Sequence, residues 1–251
     1  MTIPESLLKR WMELGDRTEE EALQPPSDPE AAIWRYMSFA KFVATLESRA
    51  LYFSRLDCFT DRYEGTLSNA SLGADDQLSV EVNAQMTYTE VRTMVRELRR
   101  ELFVNCWCMS PYESEAMWAL YGGGAEGVAI QSTYSRLMKA VSRPALWIGT
   151  VRYINFESDD VSFRWTFLPA LYKRRSFEHE RELRAVYLRV FLQSEPPLGE
   201  YESVDLETLV ANVYVAPGAK HWFVETVKGV VSRYSLNAAV HRSTLDVLPL
   251  E

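Results

Sequence analysis

The chain has 251 residues, 47% apolar and 25% charged, with a formal net charge of −8. That length can bury the core of one large domain or two small ones. The acidic balance excludes broad electrostatic adhesion to nucleic acid or anionic membrane, though not a local basic cleft.

In chain order, residues 5–14 read as a short helix with Leu7, Leu8, Trp11 and Leu14 on one stripe. TEEEALQPPSDPE is an acidic, proline-rich linker, so residues 1–30 are expected to precede a single domain over 31–251. AIWRYMSF and LYFSRL alternate as strands around the helical AKFVATLESRA, and the polar CFTDRYEG follows. A long charged helix is predicted over 76–103, then the strand FVNCWCMS and the helix ESEAMWALYGGG, stopped by glycines. EGVAIQST is a strand, TYSRLMKAV a short helix and LWIGTVRYINF one long strand. SFRWTFLPALYKRR reads as mainly helical with an interruption around Pro169, ELRAVYLRVF as a strand and SEPPLGEYES as a turn-rich excursion. VDLETLVANVYVAP predicts helix then strand, HWFVETVKGVVSRYSL an amphipathic helix, and AAVHRSTLDVL a last strand-like piece. Strands and helices mix without strict alternation, which points to an α+β fold with a mixed or mostly antiparallel sheet and flanking helices.

No apolar run approaches the roughly 18–20 residues that span a bilayer. The first residues lack the pattern of a secretory signal. Three cysteines do not make a disulfide framework, so the cytoplasm is the expected compartment, with no membrane partner.

No metal site is expected. Cys106 and Cys108 share one side of a strand, but His179, His221 and His241 lie far apart with no ligand spacing. The three glycines after Tyr121 end a helix instead of opening one, which argues against a phosphate loop. No G-x-S-x-G elbow occurs.

FEHERELRAVYLRV, residues 177–190, is the densest polar feature. As a strand it puts Glu178, Glu180, Glu182 and Arg184 on one side, where carboxylates repel unless a cation or polar ligand joins them. The same letters also fit the solvated end of a helix. Arg35, Ser110 and the Glu180–Glu182 pair form a polar set on strand-like segments. An Arg suits a pyrophosphate, a Ser a ribose hydroxyl, and a Glu the positive charge that develops on a sugar. The plain alternative makes Arg35 a surface ion pair, Ser110 the N-cap of 111–121, and the Glu pair solvated. Met117, Trp118 and Tyr121 share a helix face, a spacing that usually marks core. Asp61 and Glu64, in TDRYEG, suit a turn or a meeting with Arg35 or Arg174–Arg175 across a cleft.

The pieces RYMSF…LYFSRLDCFTDRYEG, FVNCWCMSPYESEAMWALYGGGAEGVAIQST and YKRRSFEHERELRAV resemble a bacterial family known only as domain of unknown function 2971. The likeness runs from about Trp34 to HRSTLDVL, and the family name implies no activity. More distantly, the order and spacing look like the ADP-ribosyltransferase superfamily. This resemblance implies Glu182 as catalytic, Glu180 as accessory and Ser110 beside the ribose. It also implies Arg35 on the pyrophosphate, with Trp118, Tyr121 and Arg184 around the cofactor. The superfamily's Ser–Thr–Ser triplet is absent; MSP stands in its place, and Tyr112 or Tyr121 could substitute. The implied co-substrate is NAD, with no covalently bound cofactor. The implied target is protein, nucleic acid or water, and the implied setting is bacterial defence or toxin action. Two other expectations stand beside it. One is a nucleic-acid or nucleotide-binding module gripping phosphates through Lys173, Arg174, Arg175, Arg181 and Arg184, with Phe177 stacking a base. The other is an interaction protein that docks through the helices at 76–103 and 221–234.

Overall fold

The computed structural model describes residues 22–73, 88–161, 165–189 and 195–247, without the side chains of 72–73 and 88–91. The helix expected over 5–14 lies outside the described residues, as does 76–87 of the long charged helix.

The fold is α+β. The strands are β1 (Ala32–Ser38), β2 (Ala50–Arg55), β3 (Leu102–Met109), β4 (Gly127–Thr133), β5 (Trp147–Thr150) and β6 (Arg152–Ile154). They continue with β7 (Tyr172–Arg174), β8 (Glu182–Leu188), β9 (Gly199–Ser203), β10 (Asn212–Val215) and β11 (Ala239–Arg242). The helices are α1 (Phe39–Ser48), α2 (Asn69–Gly73), α3 (Tyr88–Glu101), α4 (Glu115–Tyr121), α5 (Tyr134–Ala140), α6 (Leu206–Leu209) and α7 (His221–Arg233). Among the described residues a nine-stranded sheet runs β11-β10-β4-β1-β3-β2-β9, with β8 on β3 and β5 on β8. It is antiparallel except for β10–β11. No helix among the described residues is long and apolar enough to cross a membrane.

Alternation along the strands divides the sheet into two faces. Ile33, Met37, Phe103, Trp107, Ile130, Leu183 and Tyr187 face α1, α5, α6 and α7, and meet Phe42, Leu46, Leu137, Leu209, Phe223 and Val227 in the main core. Each fully buried side chain of this kind contributes about 1.5–3 kcal/mol. The opposite face carries two smaller apolar clusters. One is built on Leu98, Val104, Phe167, Leu171 and Val186, the other on Trp34, Tyr36, Cys108, Met117 and Trp118.

β3 is the hub. β8 pairs along its full length, from Leu102↔Leu188 to Cys108↔Glu182. Its other edge forks: β2 pairs at Phe103 and Val104, β1 only at Cys108 and Met109. The main chain in the fork is satisfied by side chains. Asn105 Nδ2 donates to the Tyr52 carbonyl at 2.9 Å and Arg35 Nη1 to the Cys106 carbonyl at 2.7 Å.

Several sequence expectations are corrected. LWIGTVRYINF breaks at Val151 into β5 and β6, which belong to different sheets. The described part of SFRWTFLPALYKRR is a short 3₁₀ turn, Leu168–Leu171, followed by β7. Leu168, Pro169, Ala170 and Leu171 are all buried, so no polar face remains for an amphipathic helix. GEYES, inside the expected turn excursion, is the edge strand β9, paired to β2. The N-cap of α4 is Ser114, whose hydroxyl accepts from Met117 N, and not Ser110.

Candidate functional site

β8 begins the site. Its register sets Glu182 opposite Cys108 and Arg184 opposite Cys106, so both charged side chains emerge between the two smaller apolar clusters. β7 pairs with β6 and brings Lys173 alongside Tyr153. A 3₁₀ turn over Arg175–Glu180 then folds back, closed by Arg181 in the left-handed region at φ 44°. Strand parity therefore stops at Glu182. Glu178 is exposed, and Glu180 reaches the cluster through the turn, not through the alternation expected from sequence. Glu64 arrives from the polar break after β2. Gly65, at φ 72°, makes that approach possible, because a Cβ there would lie 2.5 Å from Leu56 Cδ2.

These groups form one buried network. Lys173 Nζ donates to Glu180 Oε2 at 2.5 Å and Glu182 Oε1 at 2.6 Å, and lies 3.4 Å from Glu64 Oε1. Arg184 Nε donates to Glu182 Oε2 at 2.7 Å, Nη2 to Glu182 Oε1 at 3.1 Å, and Nη1 to the Ala170 carbonyl at 2.7 Å. Arg184 Nη2 also donates to Glu64 Oε2. Arg184 is 0% exposed and Glu64, Glu180, Glu182 and Lys173 are all 5% or less. Solvent screening is weak there, and each charge depends on its neighbours. One contact leads outward: the half-exposed Tyr121 donates its hydroxyl to Glu180 Oε1 at 2.9 Å.

Two positive charges, on Lys173 and Arg184, face three carboxyl groups, Glu64, Glu180 and Glu182. The group is one proton short of neutrality. Burial and the neighbouring Glu182, opposed by Lys173, push the Glu180 carboxyl up to about 7. Burial also opposes ionisation of Glu182, yet Arg184 and Lys173 hold it well below the usual carboxylate range. Burial raises both strand thiols, Cys108 to about 11 and Cys106 well above its ordinary value, so neither is an activated nucleophile.

Beside the network, Arg174 grips the buried Asp61 through Nη2–Oδ1 at 2.9 Å and Nε–Oδ2 at 3.1 Å. Its guanidinium lies 4.8 Å from the Tyr63 ring and 5.4 Å from that of Phe177. Of the expected meetings across a cleft, Asp61–Arg174 forms. Arg175 pairs with Asp159 instead, and Glu64 with Arg184 and Lys173.

An open cleft of about 980 Å³ lies where β3 and β5 end and β8 begins. Ser110, Tyr153, His179, Arg181 and Glu182 are among its lining residues. Ser110 accepts at its hydroxyl from Tyr112 N at 3.2 Å, and Tyr153 accepts at its hydroxyl from Glu182 N at 2.8 Å.

Of the residues singled out in the sequence, Glu180, Glu182, Arg184 and Tyr121 come together, and Ser110 shares the cleft with Glu182. Trp118 is buried edge-on to Tyr36, its Nε1 donating to Glu113 at 3.0 Å. Arg35 does not join them. It alternates with Ile33 and Met37 on the main-core side of β1, where it bridges the fork of the sheet. It is no surface ion pair either, since it pairs with no acid among the described residues. Arg35→Met is expected to cost about 1–2 kcal/mol in denaturant unfolding through the orphaned Cys106 carbonyl. The central role of Lys173 and Glu64 was missed. TDRYEG and KRR were visible in the sequence, but not that they converge on Glu182.

No family model matches the chain, and no curated protein does. The resemblance to the domain-of-unknown-function family gains no support there. Among solved structures the chain is similar to Thermus sp. 2.9 DarT in complex with NAD+, at 11% identity and TM-score 0.42, over 90% of this chain and 100% of that one. It is also similar to Thermus sp. 2.9 DarT in complex with ADP-ribosylated ssDNA, at 10% identity and TM-score 0.44, over 89% and 97% of the two chains. A third likeness is to the same protein in complex with carba-NAD+, at 10% identity and TM-score 0.40, over 88% and 98%. Overlays this loose leave function to be argued from the chain's own residues.

Proposed function

We propose that the chain is an ADP-ribosyltransferase-like enzyme that takes NAD as co-substrate and breaks the bond between ribose and nicotinamide. The observation that carries this reading is the joint presence of Ser110 and Glu182 on one cleft, with Glu180 tied to Glu182 through the shared Lys173 ammonium. A volume of about 980 Å³ suits a dinucleotide, and Arg181 and His179 supply polar contacts at its edge. Ionised Glu182 favours the positive charge that grows on the ribose as the C–N electron pair leaves with nicotinamide. Ser110 orients a ribose hydroxyl. Glu180 takes the proton from the attacking group as its lone pair bonds to the ribose carbon. The target, whether protein, nucleic acid or water, is the group that attacks. A bacterial cytoplasm, rich in NAD and reducing, suits three free cysteines.

The test is nicotinamide release from NAD by the full chain, compared with Glu182→Gln and Ser110→Ala. Release that falls to background in Glu182→Gln is the expected result. Equal release in both, or no NAD binding at all, defeats the proposal.

A second reading, nucleic-acid or nucleotide binding without NAD chemistry, draws on the half-buried Arg174, whose guanidinium lies near the Tyr63 and Phe177 rings. It would show as salt-sensitive binding of single-stranded nucleic acid that is lost in Arg174→Ala.

A further inference from the structure

The enzymatic reading names two carboxyl groups but not what sets them apart. Glu180 and Glu182 sit on the same ammonium, at 2.5 and 2.6 Å, and their surroundings diverge beyond it. Glu182 has a second cation, Arg184, on both of its oxygens. Among the described residues Glu180 accepts from Lys173 and from the hydroxyl of the half-exposed Tyr121, and its carboxyl lies against that of Glu182. We propose that Lys173 is the positioning residue of the site: its ammonium completes the ionised form of Glu182 and leaves Glu180 as the carboxyl that exchanges a proton. Its significance for turnover rests on the function proposed above.

From β8 come the carboxylate of Glu182, which disfavours the charge of Glu180, and the guanidinium of Arg184 behind it. From the loop after β2 comes Glu64, 3.4 Å from Lys173 and bonded to Arg184. From α4 comes Tyr121, a hydroxyl that burial and Glu180 keep protonated and donating. β3 adds only Cys106 and Cys108, both held as neutral thiols, and β6 only the neutral Tyr153. On its own turn Glu178, the imidazole of His179 and Arg181 are exposed to solvent. Among the described residues Lys173 is thus the sole cation bonded directly to Glu180, and it is shared. Remove it, and the buried group changes from one excess negative charge to two. Glu180 then holds its proton more tightly. Neutralise Glu182, and Glu180 releases its proton more easily.

The experiment is a carbon-13 NMR titration of the full chain with glutamate labelled at the side-chain carboxyl, the Glu180 signal being assigned by its loss in Glu180→Gln. In Lys173→Met the Glu180 midpoint is expected to move up by at least about one pH unit, a tenfold change in proton affinity. In Lys173→Arg it stays near the wild-type value, and in Glu182→Gln it moves down. A midpoint unmoved in Lys173→Met, or moved up in Glu182→Gln, overturns the proposal. Should Lys173→Met not fold, the downward shift in Glu182→Gln and the retention in Lys173→Arg still decide it. The titration needs no turnover. If the midpoints move as stated and nicotinamide is not released, the enzymatic reading fails and the role of Lys173 in proton affinity stands. If nicotinamide is released, its pH profile moves with the same midpoint.

Discussion

Arg184→Met is expected to destabilise the fold by about 3–5 kcal/mol in urea unfolding at pH 7. Arg184 is fully buried and donates to both oxygens of Glu182, to Glu64 and to the Ala170 carbonyl. Methionine fills similar volume, so the loss is electrostatic and not a cavity effect. It strands two carboxylates whose one remaining ion-pair partner among the described residues is Lys173. The penalty for an uncompensated buried charge exceeds that of a lost surface pair, typically below about 1 kcal/mol. Arg100→Met, which breaks surface pairs to Glu97 and Glu195, is the control and is expected to cost little. Equal costs for the two variants would mean that water reaches the network. Adding Glu182→Gln to Arg184→Met should return part of the loss, because the two residues share one interaction.

The second large effect is on the pH dependence of stability. The Glu180 carboxyl sits at about 7 in the folded chain, against an ordinary value of 4.5. Between those values the native state binds a proton that the unfolded chain has released. The stability that Glu180 contributes is therefore complete below about pH 4.5 and is lost as pH rises through 7. Glu182 acts in the opposite sense: its depressed carboxyl contributes above 4.5 and fails as pH falls below it. Stability should peak near pH 5 and decline toward pH 8. Glu180→Gln mimics the protonated form and should flatten that decline. It should leave the variant about 2 kcal/mol more stable than the parent at pH 8, and similar to it at pH 5. Unfolding midpoints measured from pH 5 to 8 check this. A parent that gains stability over that range contradicts the charge count of the network.

The parts of the fold that were legible share one property: their signal is local. Ile33, Trp34, Tyr36 and Met37 in β1 carry enough apolar surface within a few residues to declare a strand. Phe42 and Leu46 mark one turn of α1, and the glycines from Gly122 stop α4, though its N-cap is Ser114 and not the expected Ser110. These preferences act over one or two turns of chain, so the sequence by itself determined them, along with the α+β class. β9 and the break at Val151 were not legible. GEYES becomes a strand only because β2 offers it an edge, and LWIGTVRYINF divides because β5 and β6 are claimed by different partners.

The site was decided by tertiary structure. Glu64 and Arg184 are 120 residues apart, and nothing in either neighbourhood encodes the other. What brings them together is the burial of two apolar clusters on one face of the sheet, which leaves a polar gap between them. Arg35 shows the same dependence. Alternation along β1 puts it on the side of Ile33 and Met37, and the register β1–β3–β8 sets that side opposite to Glu182. Local chain chemistry chooses helix, strand or turn; the partners of a charged side chain are chosen by which distant apolar surfaces must leave water together.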